Sequence, residues 1–214
     1  LPHGKVIALD QSANMLQQAE AHLRPRFGDR VTYQRVDLAQ LDLVDAADAI
    51  FSTATFHWIT DHTLLFRSLF RALKPGGWLV AQCGGGPNIA QLNRQAQLLM
   101  RQEPFAGHFG DWTGPWLFAG ADETAMRLHD AGFVDIDTHI VEAPVTLESE
   151  DAFREFLTTV VFGTHLERLP DAALREAFIE RLVAWSSGQT PPWHLDYWRL
   201  NMVARKPGRT DTPD

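Results

Sequence analysis

Cysteine is nearly absent: Cys83 stands alone among 214 residues, so no disulfide can close within the chain, and nothing marks an oxidising compartment. A basic excess is absent too. The formal charge is −8, a sign that repels phosphate backbones, and the densest basic stretch, Arg199 to Arg209, runs into a tail. Nucleic acid is therefore not an expected partner. No apolar run approaches the roughly 20 residues a membrane helix needs, and no charged-then-apolar leader opens the chain. No membrane partner is expected, and the cytoplasm is the expected compartment. The histidines His129, His139, His165 and His194 are scattered and show no metal-ligand spacing.

What is present is ordinary for a globular chain: 45% hydrophobic and 21% charged residues, enough to build one domain with a large core. Strand and helix signals alternate, which favours an α/β sheet with parallel strands. Val6–Leu9 reads as a first strand. Ser12 caps a helix to about Leu23, ended by Pro25 and Gly28. Val31–Val36 is a second strand and Ala49–Ser52 a third. A helix follows from about Asp61 to Leu73. Lys74-Pro75-Gly76-Gly77 then reads as a type II turn, with Gly76 supplying the positive φ. Trp78–Cys83, Phe133–Val141 and Tyr197–Arg205 are further strands. Further helices are predicted at Ile89–Met100, Glu123–Ala131, Asp151–Phe162 and Ala172–Trp185. Residues 1–100 form the sheet-and-tip part of this single domain, 101–121 an aromatic loop that is a candidate lid, 151–187 a helical insertion before the last strand, and 207–214 a tail.

Three strands end in polar tips: Asp10, Asp37 and Ser52 each follow an apolar run. Open parallel sheets bind ligands outside the carboxyl ends of their strands, where a carboxylate can accept both hydroxyls of a ribose or an exocyclic amine. One such acid is weak evidence, since Asp also caps helices and turns; three in succession point to a nucleoside-shaped ligand.

With those residues in view, "VIALDQSANMLQQA", "VDL", "DAIFSTATFHWI" and "LFRALKPGGWLVAQ" resemble the successive cofactor motifs of class I S-adenosylmethionine-dependent methyltransferases, closest in flavour to the trans-aconitate methyltransferase group. The likeness runs from Lys5 to Gln82 and extends more weakly to "LHDAGFVDIDT" and "DYWRLNMVARKP". It implies a Rossmann-like fold, a mostly parallel sheet flanked by helices. It implies S-adenosyl-L-methionine as cofactor and methyl transfer to a small-molecule acceptor, with a carboxylate the favoured class. By resemblance, Asp10 would hold the ribose hydroxyls and Gln11 pack beside the adenine. Asp37 would take the adenine amine, and the Leu38 backbone would address the ring. Ser52, Thr53 and Ala54 would line the path to the methionine part.

The family's glycine-rich loop, which lies after a preceding strand, has no counterpart before Lys5. The domain is accordingly expected to be incomplete at its N-terminus. Gly84-Gly85-Gly86 lacks the ending of a phosphate loop and the spacing of a dinucleotide fingerprint, and reads as a connection with tight backbone packing. His57 is a candidate for the cofactor carboxylate or for substrate; an exposed loop histidine is the bland alternative. Trp58, Trp112 and Trp116 are candidate acceptor-site walls, although a satellite core under a long loop explains the last two as well. Arg199 and Arg154 are the cations to test as carboxylate clamps. No catalytic base is singled out, because a carboxylate acceptor is already a nucleophile. Two other readings compete: a non-catalytic module of the same fold, completed by a partner, and a nicotinamide oxidoreductase, which would need the same absent loop and lacks a Tyr-x-x-x-Lys pair.

Overall fold

The structure is a computed structural model, and it describes residues 3–209. The expected tail at 207–214 therefore lies largely outside the described residues. The chain order begins β1 (Val6–Asp10), α1 (Ala13–Phe27) and β2 (Val31–Arg35), then β3 (Ala47–Thr53), α2 (His62–Ala72) and β4 (Leu73–Gly84). It continues with α3 (Ala90–Met100), α4 (Ala106–Phe109), α5 (Ala121–Asp130) and β5 (Val134–Glu142). A two-residue strand β6 (Val145–Thr146) precedes α6 (Glu150–Phe156), α7 (Gly163–Glu167) and α8 (Ala172–Ser187). Strands β7 (His194–Leu195) and β8 (Trp198–Arg205) close the fold.

The strands fall into separate ladders. β1 and β2 pair in parallel, Val6 opposite Val31 through Asp10 opposite Arg35. A four-stranded sheet runs β3-β4-β8-β5, with β3 parallel to β4 and β8 antiparallel to both of its neighbours. Among the described residues no ladder joins β1 to β3. The mostly parallel arrangement thus holds for β1–β2 and β3–β4, while the last strand reverses direction between β4 and β5.

Local chemistry accounts for the boundaries. Ser12 accepts the Met15 N–H as an N-cap, and Asp61 does the same for Leu64. The predicted stop of α1 at Pro25 is corrected: the helix runs to Phe27, because a proline in the last turn forgoes a single donor and the Gly28 N–H closes onto the Arg24 carbonyl. The predicted turn at Lys74–Gly77 is present, with Gly76 at φ +82°. It is an excursion in β4: Ala47 pairs with Leu73, and Ala49 already pairs with Trp78. The helix predicted over Asp151–Phe162 is also corrected, since α6 ends at Phe156 and Leu157–Val161 widens into a π-helical turn.

Two apolar cores result. In the first, α2 and α5 cover one face of the large sheet, burying Leu65, Phe66, Leu69, Leu128 and Phe133 against Leu79, Ala81, Leu200 and Met202. Strand alternation leaves the opposite face open: Phe51 is 77% exposed, and Trp78 and Val80 are exposed beside it. The second core is helical and aromatic. Phe105, Phe109, Phe153, Phe162 and Phe178 are buried there among α3, α4 and α6–α8.

Candidate active site

Parallel pairing puts the carboxyl ends of β1 and β2 side by side. The Val36 N–H donates to the Asp10 carbonyl at 3.1 Å, and Arg35 Nε donates to the Gln11 carbonyl at 2.9 Å. Asp10, Gln11 and Asp37 therefore share one sheet end. Each acid has a local duty: Asp10 Oδ1 accepts the Ser12 N–H at 2.7 Å, and Asp37 Oδ1 accepts the Ala39 N–H at 2.9 Å. Both carboxylates are held in place through one oxygen by backbone. The Leu38–Gln40 turn that follows carries Leu41 into the first core, where Phe56, from beyond the tip of β3, is also buried. The segments after Asp37 and after Ser52 are thus anchored in one apolar body.

At the end of β3 the chain turns sharply. Ala54 sits at φ +54°, a conformation that a residue with a Cβ adopts at a cost, and its N–H donates to the Gln82 carbonyl at 2.8 Å. Residues Phe56–Trp58 form a 3-10 turn that brings His57 back onto β4, where its Nδ1 accepts the Gly84 N–H at 3.2 Å. That bond places the proton of the neutral ring on Nε2. Burial, and next the nearby Arg199 guanidinium, push the His57 pKa down to about 4. The ring is therefore neutral near pH 7.

Arg199 faces Gly84 across the β4–β8 ladder, at the same sheet end. Its guanidinium lies 4.3 Å from the centre of the Tyr197 ring, and among the described residues no carboxylate pairs with it. Arg154 is different. It pairs with Glu150 at 2.9 Å and with Glu180, so the reading of Arg154 as a free clamp is withdrawn. Burial pushes the Cys83 thiol up to about 11, which leaves it inert as a nucleophile.

An aromatic wall rises from this sheet end. The Leu117 N–H donates to the His57 carbonyl at 2.9 Å, docking the segment that carries Trp116 and Phe118. Ring centres of His57 and Phe118 are 5.7 Å apart, those of Trp58 and Trp116 5.9 Å, and Trp116 stacks on Phe118 at 5.6 Å. Trp112 stands farther along, packed against Phe109 and the helical core. The glycine run behaves as a close connection. A Cβ on Gly84 would lie 2.7 Å from Asn88 Nδ2, and one on Gly85 would lie 2.9 Å from the Ala119 carbonyl.

Comparisons with known proteins bear on this architecture. A methyltransferase domain family matches residues 1–81. An uncharacterised methyltransferase of Schizosaccharomyces pombe is 25% identical over 94% of this chain and 78% of its own length. The trans-aconitate 2-methyltransferase of Azoarcus is 30% identical over 63% of this chain and 47% of its own length. These likenesses are to class I S-adenosylmethionine-dependent methyltransferases. Among solved structures, the YcgJ protein of Bacillus subtilis superposes with a TM-score of 0.62 at 14% identity, covering 95% of this chain and 82% of that one; that likeness shows the Rossmann-like fold. The chain spans about half the length of the Azoarcus methyltransferase.

S-adenosyl-L-methionine is the cofactor of this methyltransferase family, and the strand tips have donor and acceptor chemistry that fits it. Asp10 keeps an oxygen beyond the backbone-held one, and the second oxygen of Asp37 accepts a long bond from Gln40 Nε2 at 3.4 Å. The positive φ of Ala54 marks the tip of β3 as a place where the backbone is held under constraint. Sequence reasoning missed two contributors to the candidate site: Phe118, which packs on His57, and the Gly84 N–H that fixes its tautomer. Both depend on cross-chain contacts that leave no mark in local spacing.

Proposed function

We propose that this protein transfers a methyl group from S-adenosyl-L-methionine to a carboxylate on a small acceptor, in the cytoplasm and without a nucleic-acid partner. Asp10 and Asp37 hold the ribose hydroxyls and the adenine amine, with Gln11 and the Leu38 backbone beside the ring and Ser52, Thr53 and Ala54 along the path from β3. When bound, the cofactor supplies an electrophilic methyl whose departure leaves a neutral thioether.

One observation carries the acceptor class. A guanidinium without an acidic partner among the described residues, Arg199, sits at the carboxyl end of β4 beside a neutral imidazole. Guanidinium matches carboxylate in a two-pronged geometry, and its charge favours an anionic acceptor at the end of β4 and β8. A carboxylate oxygen is already nucleophilic, so no proton has to leave and no base is required. His57, neutral and donating from Nε2, orients without competing for the anion's charge. Trp58 and Trp116 keep water from the reacting atoms, so orientation and desolvation supply most of the acceleration. The names of relatives agree in kind: trans-aconitate and malonyl-acyl-carrier-protein methyltransferases have carboxylic acids as named substrates.

The test is a screen of small acids with S-adenosyl-L-methionine, read by mass spectrometry for the gain of a methyl group, alongside calorimetric titration with S-adenosylhomocysteine. Arg199→Ala is expected to raise the acceptor KM at least tenfold, with Arg199→Lys intermediate. Absence of both S-adenosylhomocysteine binding and methylated acid would overturn the reading.

A second reading rests on the open ladders. β1 and β3 each have one partner among the described residues, and Ile7 (44% exposed) and Phe51 present apolar side chains nearby. A non-catalytic module whose sheet is extended by a partner strand would use those edges. It predicts strand pairing without S-adenosylhomocysteine binding.

A further inference from the structure

The helical core contains a histidine with no polar partner. His165 is 0% exposed, and neither ring nitrogen has a hydrogen-bond partner. Leaving such groups buried and unpaired is costly, so a fully apolar side chain would serve a purely structural role better. The imidazole is instead boxed by rings: Trp112 at 4.7 Å, Phe162 at 4.8 Å and Trp116 at 5.1 Å between centres. Trp116 belongs to the wall that reaches His57 through Phe118. The box and the candidate methyl-transfer end are therefore two ends of one aromatic surface.

The cover over the imidazole has the features of a strap. Gly110 (φ +55°) and Gly114 (φ +120°) bracket Asp111–Thr113, and both angles suit glycine and disfavour other residues. A Cβ on Gly114 would lie 3.7 Å from the Trp116 ring and 4.0 Å from His165 Nε2, so the strap backbone passes close to both. Behind the strap is a cavity of about 200 Å³ lined by Gln97, Met100, Arg101 and Trp112 among others. A displaced indole has somewhere to go. Two light attachments hold the strap shut: Gln97 Nε2 donates to the Thr113 carbonyl at 3.3 Å, and the Arg168 guanidinium lies 4.1 Å from the Trp112 ring centre.

We propose that this strap opens onto the distal half of the acceptor pocket, and that His165 is a specificity-determining residue there, bonding a hydroxyl at the end of the acceptor remote from its carboxylate. Flat rings on several sides select a flat, unsaturated body. A hydroxyl can donate or accept, so it satisfies the imidazole in either tautomer. The occupant is a hydroxyaryl carboxylic acid, with its carboxylate at Arg199 and its hydroxyl at His165. This rests on the acceptor reading given above. A site that hydrogen-bonds a substrate hydroxyl discriminates strongly against the analogue that lacks it, because its own polar group is then left unpaired.

The experiment compares 4-hydroxycinnamate with cinnamate, titrated into the wild-type chain and His165→Phe by tryptophan fluorescence, with S-adenosylhomocysteine titrated into the same samples. The proposal expects His165→Phe to bind 4-hydroxycinnamate roughly tenfold more weakly and cinnamate within about twofold of wild type. In the wild-type chain, the ¹⁵N resonances of the His165 ring should shift with 4-hydroxycinnamate and stay in place with cinnamate, a reading that stands even if the variant fails to fold. Equal loss for both acids, unmoved His165 resonances, or no binding of either acid would overturn it. S-adenosylhomocysteine binding without aryl-acid binding sinks this pocket alone. Aryl-acid binding with the His165 signature, but without S-adenosylhomocysteine binding, sinks the methyl-transfer reading and leaves the pocket standing.

Discussion

The β1–α1–β2 layer and the helical core behind the aromatic wall are built on opposite terms. No residue of α1 is buried, and β1 offers the core only partly buried contacts such as Leu9. The helical core fully encloses Phe105, Phe153, Phe162 and Phe178. Burial is the main source of folding free energy, so the half carrying the acidic tips is held by a parallel ladder and caps, and the other half by packed rings. The difference teaches where each function sits. The candidate adenosine end is open and lightly supported; the candidate acceptor end lies against enclosed, packed rings.

The contrast can be broken by truncating one side chain in each half. Phe178→Ala should cost about 3–5 kcal/mol in urea denaturation, as large aromatic truncations in closed cores do. Ile7→Ala should cost about 1 kcal/mol or less, since that residue is already 44% exposed. Equal costs would erase the distinction.

Acid sharpens the same comparison. Burial holds His57 at about 4 and His165 at about 3, both below the ordinary 6.5. The unfolded chain binds these protons first as pH falls. The stability these two groups retain is complete above about pH 6.5, and it is lost progressively as pH drops toward about 4 for His57 and about 3 for His165. His165→Phe should therefore gain urea midpoint relative to wild type, by an amount that grows from pH 7 to pH 4. A gap independent of pH would contradict the account.

The smallest effect separates the two arginines. Arg154→Ala, which removes only surface pairs with Glu150 and Glu180, should leave acceptor KM within about twofold, whereas Arg199→Ala should not.

Much of the fold was legible because the early strands are short apolar runs that stop at an acid, and because Ser12 is a cap recognisable from sequence. The antiparallel direction of β8 was not legible: side-chain alternation is the same whichever way a strand runs. The β6–β7 pair, two residues a side, is too short to leave a period. The tips at Asp10 and Asp37 could be placed at one sheet end, and both proved to serve as local caps, the bland role that an acid after a strand also allows. Phe118 and the box around His165 were out of reach. Their surroundings are assembled from rings at 105–118 and 162–178, brought together only by tertiary packing.

Calorimetric titration of S-adenosylhomocysteine into the wild-type chain, Asp10→Asn and Asp37→Asn tests the cleft most directly. Saturable one-to-one binding that weakens at least tenfold in each variant, with both proteins melting within a few degrees of wild type, is the predicted result. Affinity unchanged by either substitution would show that the paired acids do not hold the nucleoside.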